Sequence, residues 1–303
     1  MLPFNHAVHG TYMTKPNTGI VLALMGALIL TPDSLLMRLS SLNGGEMLAW
    51  RASLAGIMFL LIGTIKIQPK NFRSDIFLSR NFAVLVLCQV ANTSFFSFAI
   101  SFAPVALVLI TVATVPIIAI ALGSYFLGER ANAQTWIILG IVITGIIISV
   151  FGELKHSLSW SPKTILGALL GLGVAFSLAT NFVIIRHDRN VAFEMALGVG
   201  AVIAGLCAFT LFPTALSVGL SSGLIIASTG IIILPVSFIL LSRAARYTSA
   251  SNVSLLMLLE TALGPLWVWI AIGETPTHFT LIGGTIVVSA IIYFLTTEST
   301  AAS

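Results

Sequence analysis

The sequence predicts an all-α membrane protein, and three observations lead to that prediction. Hydrophobic residues make up 57% of the 303 positions, charged residues only 8%, and the mean hydropathy is +1.07. A soluble domain has roughly 25% charged residues, so no soluble core would hide this much apolar surface. The apolar runs are about 20 residues long and apolar on every side, as membrane-spanning helices are. Membrane-spanning strands would instead alternate polar and apolar positions over about ten residues.

Ten such runs predict ten transmembrane helices. The first contains Asp33 and no small-residue cleavage site, so we expect a retained span and not a signal peptide. The loops between the runs are short and leave no room for a soluble domain. The predicted spans are residues 18–38, 46–65, 81–101, 104–127, 134–151, 164–185, 191–211, 222–242, 248–272 and 278–296.

One five-helix unit occurs twice in the chain. The fourth and the ninth span each contain an internal proline and end at a Gly-Glu pair, with the carboxylates at Glu129 and Glu274, about 145 residues apart. We therefore predict two repeats, at 18–151 and 164–296. Because five is an odd number, the second repeat enters the membrane from the opposite side to the first. Such inverted-topology repeats are typical of secondary transporters, which hold their substrate between the repeats near the midplane.

The distribution of Lys and Arg predicts the orientation in the membrane. With the N-terminus in the cytoplasm, the inner loops and tails hold ten Lys and Arg residues and the outer loops hold three. Basic residues favour the cytoplasmic side, so we predict a multi-pass protein of the cell (inner or plasma) membrane with both termini cytoplasmic. The net charge of +4 forms no basic stripe, which argues against nucleic acid as a partner.

Two charged residues are expected to meet between spans 1 and 2. A charge inside a span costs roughly 2.5–3.5 kcal/mol on insertion scales, so each one is a candidate for function. Asp33 lies about five residues before the outer end of span 1, and Arg51 lies about five residues after the outer start of span 2. Because these spans are antiparallel neighbours, we expect the two side chains to share a polar network. Two interpretations stay open: a static ion pair that fixes packing, or a site where Arg51 attracts a substrate carboxylate or the pair forms an outer gate.

Glu260 lies near the middle of span 9, and no Lys or Arg in the other spans is obviously at its depth. We expect it at a different depth from Asp33. A carboxylate without a partner there favours its neutral form. A group that gains and loses a proton at the midplane suits proton coupling, or the binding of an ammonium group. The alternative is a protonated side chain that donates one hydrogen bond to a neighbouring helix.

Uncharged polar and aromatic side chains add further candidates for a substrate site. In span 3 they follow helical spacing on one face, and spans 6 and 9 contain similar stripes. Such stripes line a wet cavity or hold helices together, and aromatic residues stack on a substrate or face lipid. The candidates are Gln89, Asn92 and Phe96 in span 3, Ser177 and Asn181 in span 6, and Asn252 and Trp267 in span 9.

Further expectations concern the ends and bends of the helices. Glu129 and Glu274 follow spans 4 and 9, and because a helix C-terminus disfavours carboxylates, we expect them to cap the following helix. Spans 5 and 10 are apolar with scattered glycine, which suits packing or homodimer formation away from a cavity. Prolines are expected to bend spans 1, 4, 8 and 9 at Pro32, Pro116, Pro235 and Pro265.

A set of short motifs occurs along both repeats. In the first repeat they are Ala103-Pro104-Val105-Ala106-Leu107, Val115-Pro116, Gly128-Glu129-Arg130, Gly140 and Gly145. In the second they are Tyr247-Thr248-Ser249-Ala250-Ser251, Glu260, Gly273-Glu274 and Gly283-Gly284. Each set resembles the EamA domain of the drug/metabolite transporter superfamily, although Thr261 stands where proline is usual after Glu260. The resemblance implies ten helices, cytoplasmic termini and gradient-driven export of small organic solutes, with amino-acid and metabolite exporters as the nearest relatives.

The predicted function is a secondary exporter of small organic metabolites, amino acids first, that works by alternating access between the repeats. Transport of phosphorylated metabolites or nucleotide sugars is an alternative, but Arg51 is the only basic residue well inside a span. Flipping of a lipid-linked substrate is another, because the fold could open sideways to the lipid bilayer. The sequence has no Walker-type loop and no His-Glu-x-x-His helix, so we expect neither an enzyme nor a metal or cofactor site.

Overall fold

The computed structural model describes residues 16–66, 79–103, 105–129, 132–157, 161–272 and 278–301, and in this part of the chain helices are joined by short turns and loops, without strands. We number ten helical segments in chain order. They are α1 (residues 16–39), α2 (residues 44–66), α3 (Arg80–Phe102), α4 (residues 105–127), α5 (Ala133–Ser157), α6 (Pro162–His187), α7 (Phe193–Leu211), α8 (residues 220–244), α9 (residues 250–272) and α10 (His278–Ala301).

Eight of these segments are long and apolar enough to cross a membrane. In α5 and α10 the apolar part is shorter, at Ala133–Ile148 and Leu281–Phe294. The chain is therefore a multi-pass helical membrane protein, and the count of ten spans stays a prediction.

Three segments are broken near their middle. The first, α1, consists of Pro16–Leu30 and Asp33–Leu39, and α4 consists of Val105–Val112 and Val115–Leu127. These breaks lie next to Pro32 and Pro116, as predicted, because proline cannot donate the backbone hydrogen bond that continues a helix.

The predicted position of the bend in α9, at Pro265, is wrong. Its break lies at Leu258, between Ala250–Met257 and Leu259–Ile272, and the helix continues through Pro265. The Leu258 N–H donates to the carbonyl of Leu255 at 3.1 Å, a tighter turn than the α-helix makes. The bend in span 9 therefore comes before Glu260, and not after it.

Two wide, π-helical turns lie against each other between α2 and α8. They span Leu48–Ala52 and Thr229–Ile233. A Cβ added at Gly230 would lie only 2.9 Å from the Arg51 carbonyl oxygen, so the glycine permits this close approach. In α8 the irregular turn directly precedes Pro235, which lies at the start of the next α-helical part and makes no break of its own.

The helices pack in a regular set of pairs. The most extensive contacts join α1 to α8, α3 to α6, α2 to α7 and α5 to α10, and α4 also contacts α9. Glycines shorten the distance between α2 and α7, since a Cβ at Gly56 would lie 2.6 Å from the Val202 side chain and one at Gly198 would lie 2.8 Å from Leu60. Because α5 and α10 pack mainly on each other, they leave the centre of the bundle to the remaining segments.

Candidate functional site

Asp33, Arg51 and Glu260, the charged residues deep within the spans, each lie at an irregular turn. Asp33 directly follows the break in α1, and Arg51 lies in the π-helical turn of α2. Glu260 lies in the first turn after the break in α9. The π-helical turn is of a kind frequent at functional sites, and helices broken near the midplane form the substrate sites of many secondary transporters.

Asp33 and Arg51 form the buried ion pair that the sequence predicts. The Arg51 Nη2 donates to Asp33 Oδ2, and the side chains are only 5% and 1% exposed. The guanidinium carbon of Arg51 lies 5.4 Å from the centre of the Phe96 ring, within the range of a cation–π interaction. The aromatic ring and the carboxylate therefore fix the guanidinium from two directions.

A single cavity brings most of the predicted site residues together. It is lined by polar and charged side chains from α1, α2, α3 and α9, and the empty space between its walls comes to about 500 Å³, its open part included. The predicted residues that line it are Asp33, Arg51, Gln89, Asn92, Phe96 and Glu260, together with Thr93 from the same helical stripe.

The position of Glu260 corrects one expectation. Residue counting along the spans places Glu260 at a different depth from Asp33 and leaves it without a basic residue nearby. In the structure Glu260 lines the same cavity as Asp33 and Arg51, so the expectation that it is isolated from other charged residues is wrong. The difference in depth between the two carboxylates stays a prediction.

Several buried polar atoms in the cavity have no hydrogen-bond partner among the described residues. They are three oxygens, Asp33 Oδ1, Gln89 Oε1 and Glu260 Oε1, and one N–H group, Arg51 Nε. Each of these residues is less than 9% exposed. Buried polar groups are paired in the great majority of cases, so this cavity retains an unused capacity for hydrogen bonds.

Four predicted residues lie outside the lining of this cavity. Trp267 donates from Nε1 to Thr31 Oγ1 at 2.8 Å and is 38% exposed, which is a helix-to-helix contact. Asn252 donates to Thr248 Oγ1, and Ser177 donates to the Gly173 carbonyl within its own helix. Both amide atoms of Asn181 are buried without a partner in the described chain, one helical turn beyond Leu178 of the cavity wall.

The sequence does not single out the apolar part of the cavity. These residues come from both halves of the chain and give the site an aromatic and aliphatic wall. Val174 and Leu178 have helical spacing, but so do their lipid-facing neighbours, and hydropathy cannot separate the two faces. The apolar lining consists of Leu30, Phe59, Val112, Val174, Leu178, Leu234, Phe238 and Met257.

One end of the bundle is joined by a second polar network. Arg186, at the end of α6, donates from Nε to Glu129 Oε1 at 2.9 Å, and from Nη1 to the carbonyl of Arg246. Glu129 therefore does not cap α5 as predicted; instead the Asn132 side chain accepts from the Gln134 N–H. Glu274 lies outside the described residues. The network ties the ends of α4 and α6 to the α8–α9 connection.

Arg246 lies at the centre of this network. Its Nη2 donates to the carbonyl of Val191 at 2.9 Å, and its guanidinium carbon lies 4.7 Å from the centre of the Phe193 ring. Burial lowers the pKa of Arg246, while the nearby Glu194 carboxylate acts in the opposite direction. The connections α6–α7 and α8–α9 are held together here by one partly buried cation.

A solved structure shares the fold. Described only as "Crystal structure of protein", it superposes with a TM-score of 0.72 over 91% of this chain and 96% of its own. The sequence identity is 14%, so this likeness concerns the fold alone.

Two curated proteins are similar in sequence. The S-adenosylmethionine uptake transporter of Rickettsia bellii (strain RML369-C) is 23% identical over 210 residues, which cover 68% of this chain and 69% of the relative. The uncharacterized transporter YdfC of Bacillus subtilis (strain 168) is 26% identical over 188 residues, and the match spans 60% of each chain.

The sequence profile of the EamA-like transporter family matches the chain twice, at residues 17–151 and 165–296. This confirms the resemblance to the EamA domain and to the drug/metabolite transporters, and it excludes the enzyme class. Since the two matches leave only the tails and one short connection uncovered, the protein belongs to the EamA-like transporter family.

Proposed function

We propose that this protein is a secondary active transporter that moves small organic metabolites across the cell membrane by alternating access. One observation supports this above all. The cavity with the unpaired polar atoms lies between segments of both matched stretches, with α1 to α4 on one side and α6, α8 and α9 on the other. Secondary transporters hold their substrates in this position, between two repeats.

The helix pairs support two repeats related by a twofold pseudosymmetry. If each segment of the first half is exchanged for its counterpart in the second, α1 with α6 and so on to α5 with α10, the pair α1–α8 becomes α6–α3. The pairs α2–α7, α4–α9 and α5–α10 map onto themselves. Each half has five segments, so we propose that the halves cross the membrane in opposite directions, with both termini in the cytoplasm.

The lining residues favour a small amphipathic solute, amino acids first. Polar atoms of Arg51, Gln89 and Glu260 can bind charged or hydrogen-bonding groups, and the apolar wall can hold an aliphatic or aromatic part. Phosphorylated metabolites and nucleotide sugars fit less well, since the cavity offers one cation against two carboxylates. We further propose that Glu260 exchanges a proton for substrate, which would couple transport to a proton gradient.

The direction of transport is part of the proposal. We propose export, whereas the Rickettsia relative is named an uptake transporter. That name adds S-adenosylmethionine to the solutes that deserve a test. A homodimer stays a prediction without a structural observation behind it.

An uptake screen in proteoliposomes tests the proposed function. Purified protein is reconstituted and challenged with labelled amino acids, S-adenosylmethionine and a sugar phosphate, with a proton gradient of either sign. We expect accumulation of one solute class that depends on the gradient and is lost in Glu260→Gln. Matched Glu46→Gln alters a carboxylate in the capping box at the start of α2, outside the cavity lining, and should transport normally. If none of these solutes were transported under a proton gradient of either sign, the proposal would be refuted.

A further inference from the structure

We propose that the cavity selects solutes that carry a net charge of +1 and an N–H-bearing cationic group opposite Glu260, and thus basic amino acids over neutral or acidic ones. This inference rests on the proposed function, because it concerns the same cavity. It goes further because it assigns a net charge to the substrate and names the residue that binds each charged group of the substrate.

The first support is the balance of charges. The charged residues of the lining are Asp33, Arg51 and Glu260, which gives the cavity a formal charge of −1 when Glu260 is ionised. Asp33 and Arg51 bind each other, which leaves Glu260 without an opposite charge of its own. A carboxylate buried without compensation favours its neutral form, so a solute with one positive charge can replace the proton of Glu260 and compensate the ionised carboxylate. An anionic solute cannot.

The second support is the balance of hydrogen bonds. The unpaired buried oxygens on Asp33, Gln89 and Glu260 are acceptors that require N–H or O–H donors from the solute. Among the fully buried atoms of the lining residues, Arg51 Nε is the one unpaired donor, and it can bind a single acceptor. These buried atoms therefore favour a solute that supplies more donors than acceptors. An ammonium group supplies three donors, whereas a phosphate supplies only acceptors at full charge.

The two balances together assign the groups of a basic amino acid. The α-carboxylate binds Arg51 Nε, and the α-ammonium binds Asp33 Oδ1, since these two atoms belong to one ion pair. The side-chain cation binds Glu260, which has no other partner among the described residues. The aliphatic stem between the charges lies against the apolar lining, where Met257 and Phe238 take part.

A matched series of ligands tests the inference by direct binding. Lysine, norleucine and 2-aminoadipate share a six-carbon chain and end in a cation, a methyl group and a carboxylate. Trimethyllysine keeps the charge of lysine without its N–H groups. Binding is measured by scintillation proximity or calorimetry on purified protein in detergent. We expect lysine to bind about tenfold tighter than norleucine or more, with 2-aminoadipate weakest, because a hydrogen bond to a charged group is worth about that factor.

The variants separate charge from shape. In Glu260→Gln the preference of lysine over norleucine should disappear, while norleucine binding stays within about twofold. Glu46→Gln keeps the preference. Trimethyllysine should bind less tightly than lysine in the parent protein and equally in Glu260→Gln. A thermal unfolding midpoint close to that of the parent shows that each variant is folded.

The outcomes distinguish this inference from the proposed function. Equal binding of the three six-carbon ligands, absence of lysine binding, or an unchanged preference in Glu260→Gln overturns the inference. If lysine binds with the expected preference but no solute is transported, the inference holds and the transport proposal fails. Tight binding of trimethyllysine and S-adenosylmethionine, equal to that of lysine, overturns the requirement for N–H donors.

Discussion

Arg186 Nε donates to Glu129 Oε1 at 2.9 Å, and this contact joins the end of α6 to the end of α4. The two residues belong to different family matches, so the pair ties the two halves of the chain together at one end of the bundle. The side chains are 22% and 33% exposed, which leaves them partly accessible to water. A partly exposed pair of this kind is strong enough to bias a conformational equilibrium and weak enough to open.

Breaking this pair should increase access to the cavity from that end. An exposed ion pair contributes about 0.2–1 kcal/mol, so Arg186→Gln should raise the accessible population up to about fivefold. The measurement is the rate at which the thiol introduced by Leu178→Cys reacts with a water-soluble reagent. The reagent is added on the side of the membrane where α6 ends. Arg189→Gln, three positions further along, serves as the control. An unchanged rate in both Arg186→Gln and Glu129→Gln would show that the pair has no part in closing this end.

Removal of one partner of the buried pair should destabilise the protein more than removal of both. Asp33→Asn leaves the Arg51 charge buried and unpaired, at a cost of about 3–5 kcal/mol. The double variant Asp33→Leu with Arg51→Met should recover most of that stability and still fail to transport. Unfolding in mixed micelles measures the stability, and uptake measures the function. A double variant no more stable than Asp33→Asn contradicts this account of the pair.

Variants of Phe96 and Trp267 should distinguish a residue that contacts the substrate from one that only packs helices together. Phe96 lines the cavity beside Arg51, so Phe96→Leu should raise the half-saturating substrate concentration, with a loss of about 0.5–2 kcal/mol of cation–π interaction around the guanidinium. Trp267→Phe removes the hydrogen bond to Thr31, worth about 1 kcal/mol, together with part of the ring, and should lower the stability without changing that concentration. If Trp267→Phe changed the substrate affinity more than Phe96→Leu does, Trp267 would belong to the substrate site.

The contact between the two wide turns should tolerate no side chain at Gly230. A methyl group there would lie 2.9 Å from the Arg51 carbonyl oxygen, so Gly230→Ala should push α8 away from α2 and displace Arg51. We expect lower stability, by about 1–3 kcal/mol for overpacking, and reduced uptake. Gly123→Ala is the matched control, because nothing lies within 4 Å of a Cβ at that buried position. Equal behaviour of the two variants would mean that the contact does not position Arg51.

The sequence predicts the charged part of the site better than its walls. The Asp33–Arg51 pair was predictable because both residues lie near one short loop between antiparallel helices, and local geometry brings them together. The position of Glu260 was not, since the breaks in α1 and α9 interrupt the rise along each helix. Phe59 and Phe238 were also unpredictable, because in a helix that is apolar on every side nothing distinguishes the face toward the cavity from the face toward lipid.

The wide turn at Leu48–Ala52 has a consequence for how α2 tolerates change in length. A π-helical turn contains one residue more than the α-helix needs. Deleting one residue there would leave a continuous α-helix and keep the two flanking segments in nearly the same relative rotation, because the wide turn absorbs the rotation of its surplus residue. The residues inside the turn would change direction, among them Trp50, whose Nε1 donates to the Ala215 carbonyl at 2.8 Å. The surplus residue thus sets the directions of Trp50 and Arg51 without disturbing the faces of α2 on either side.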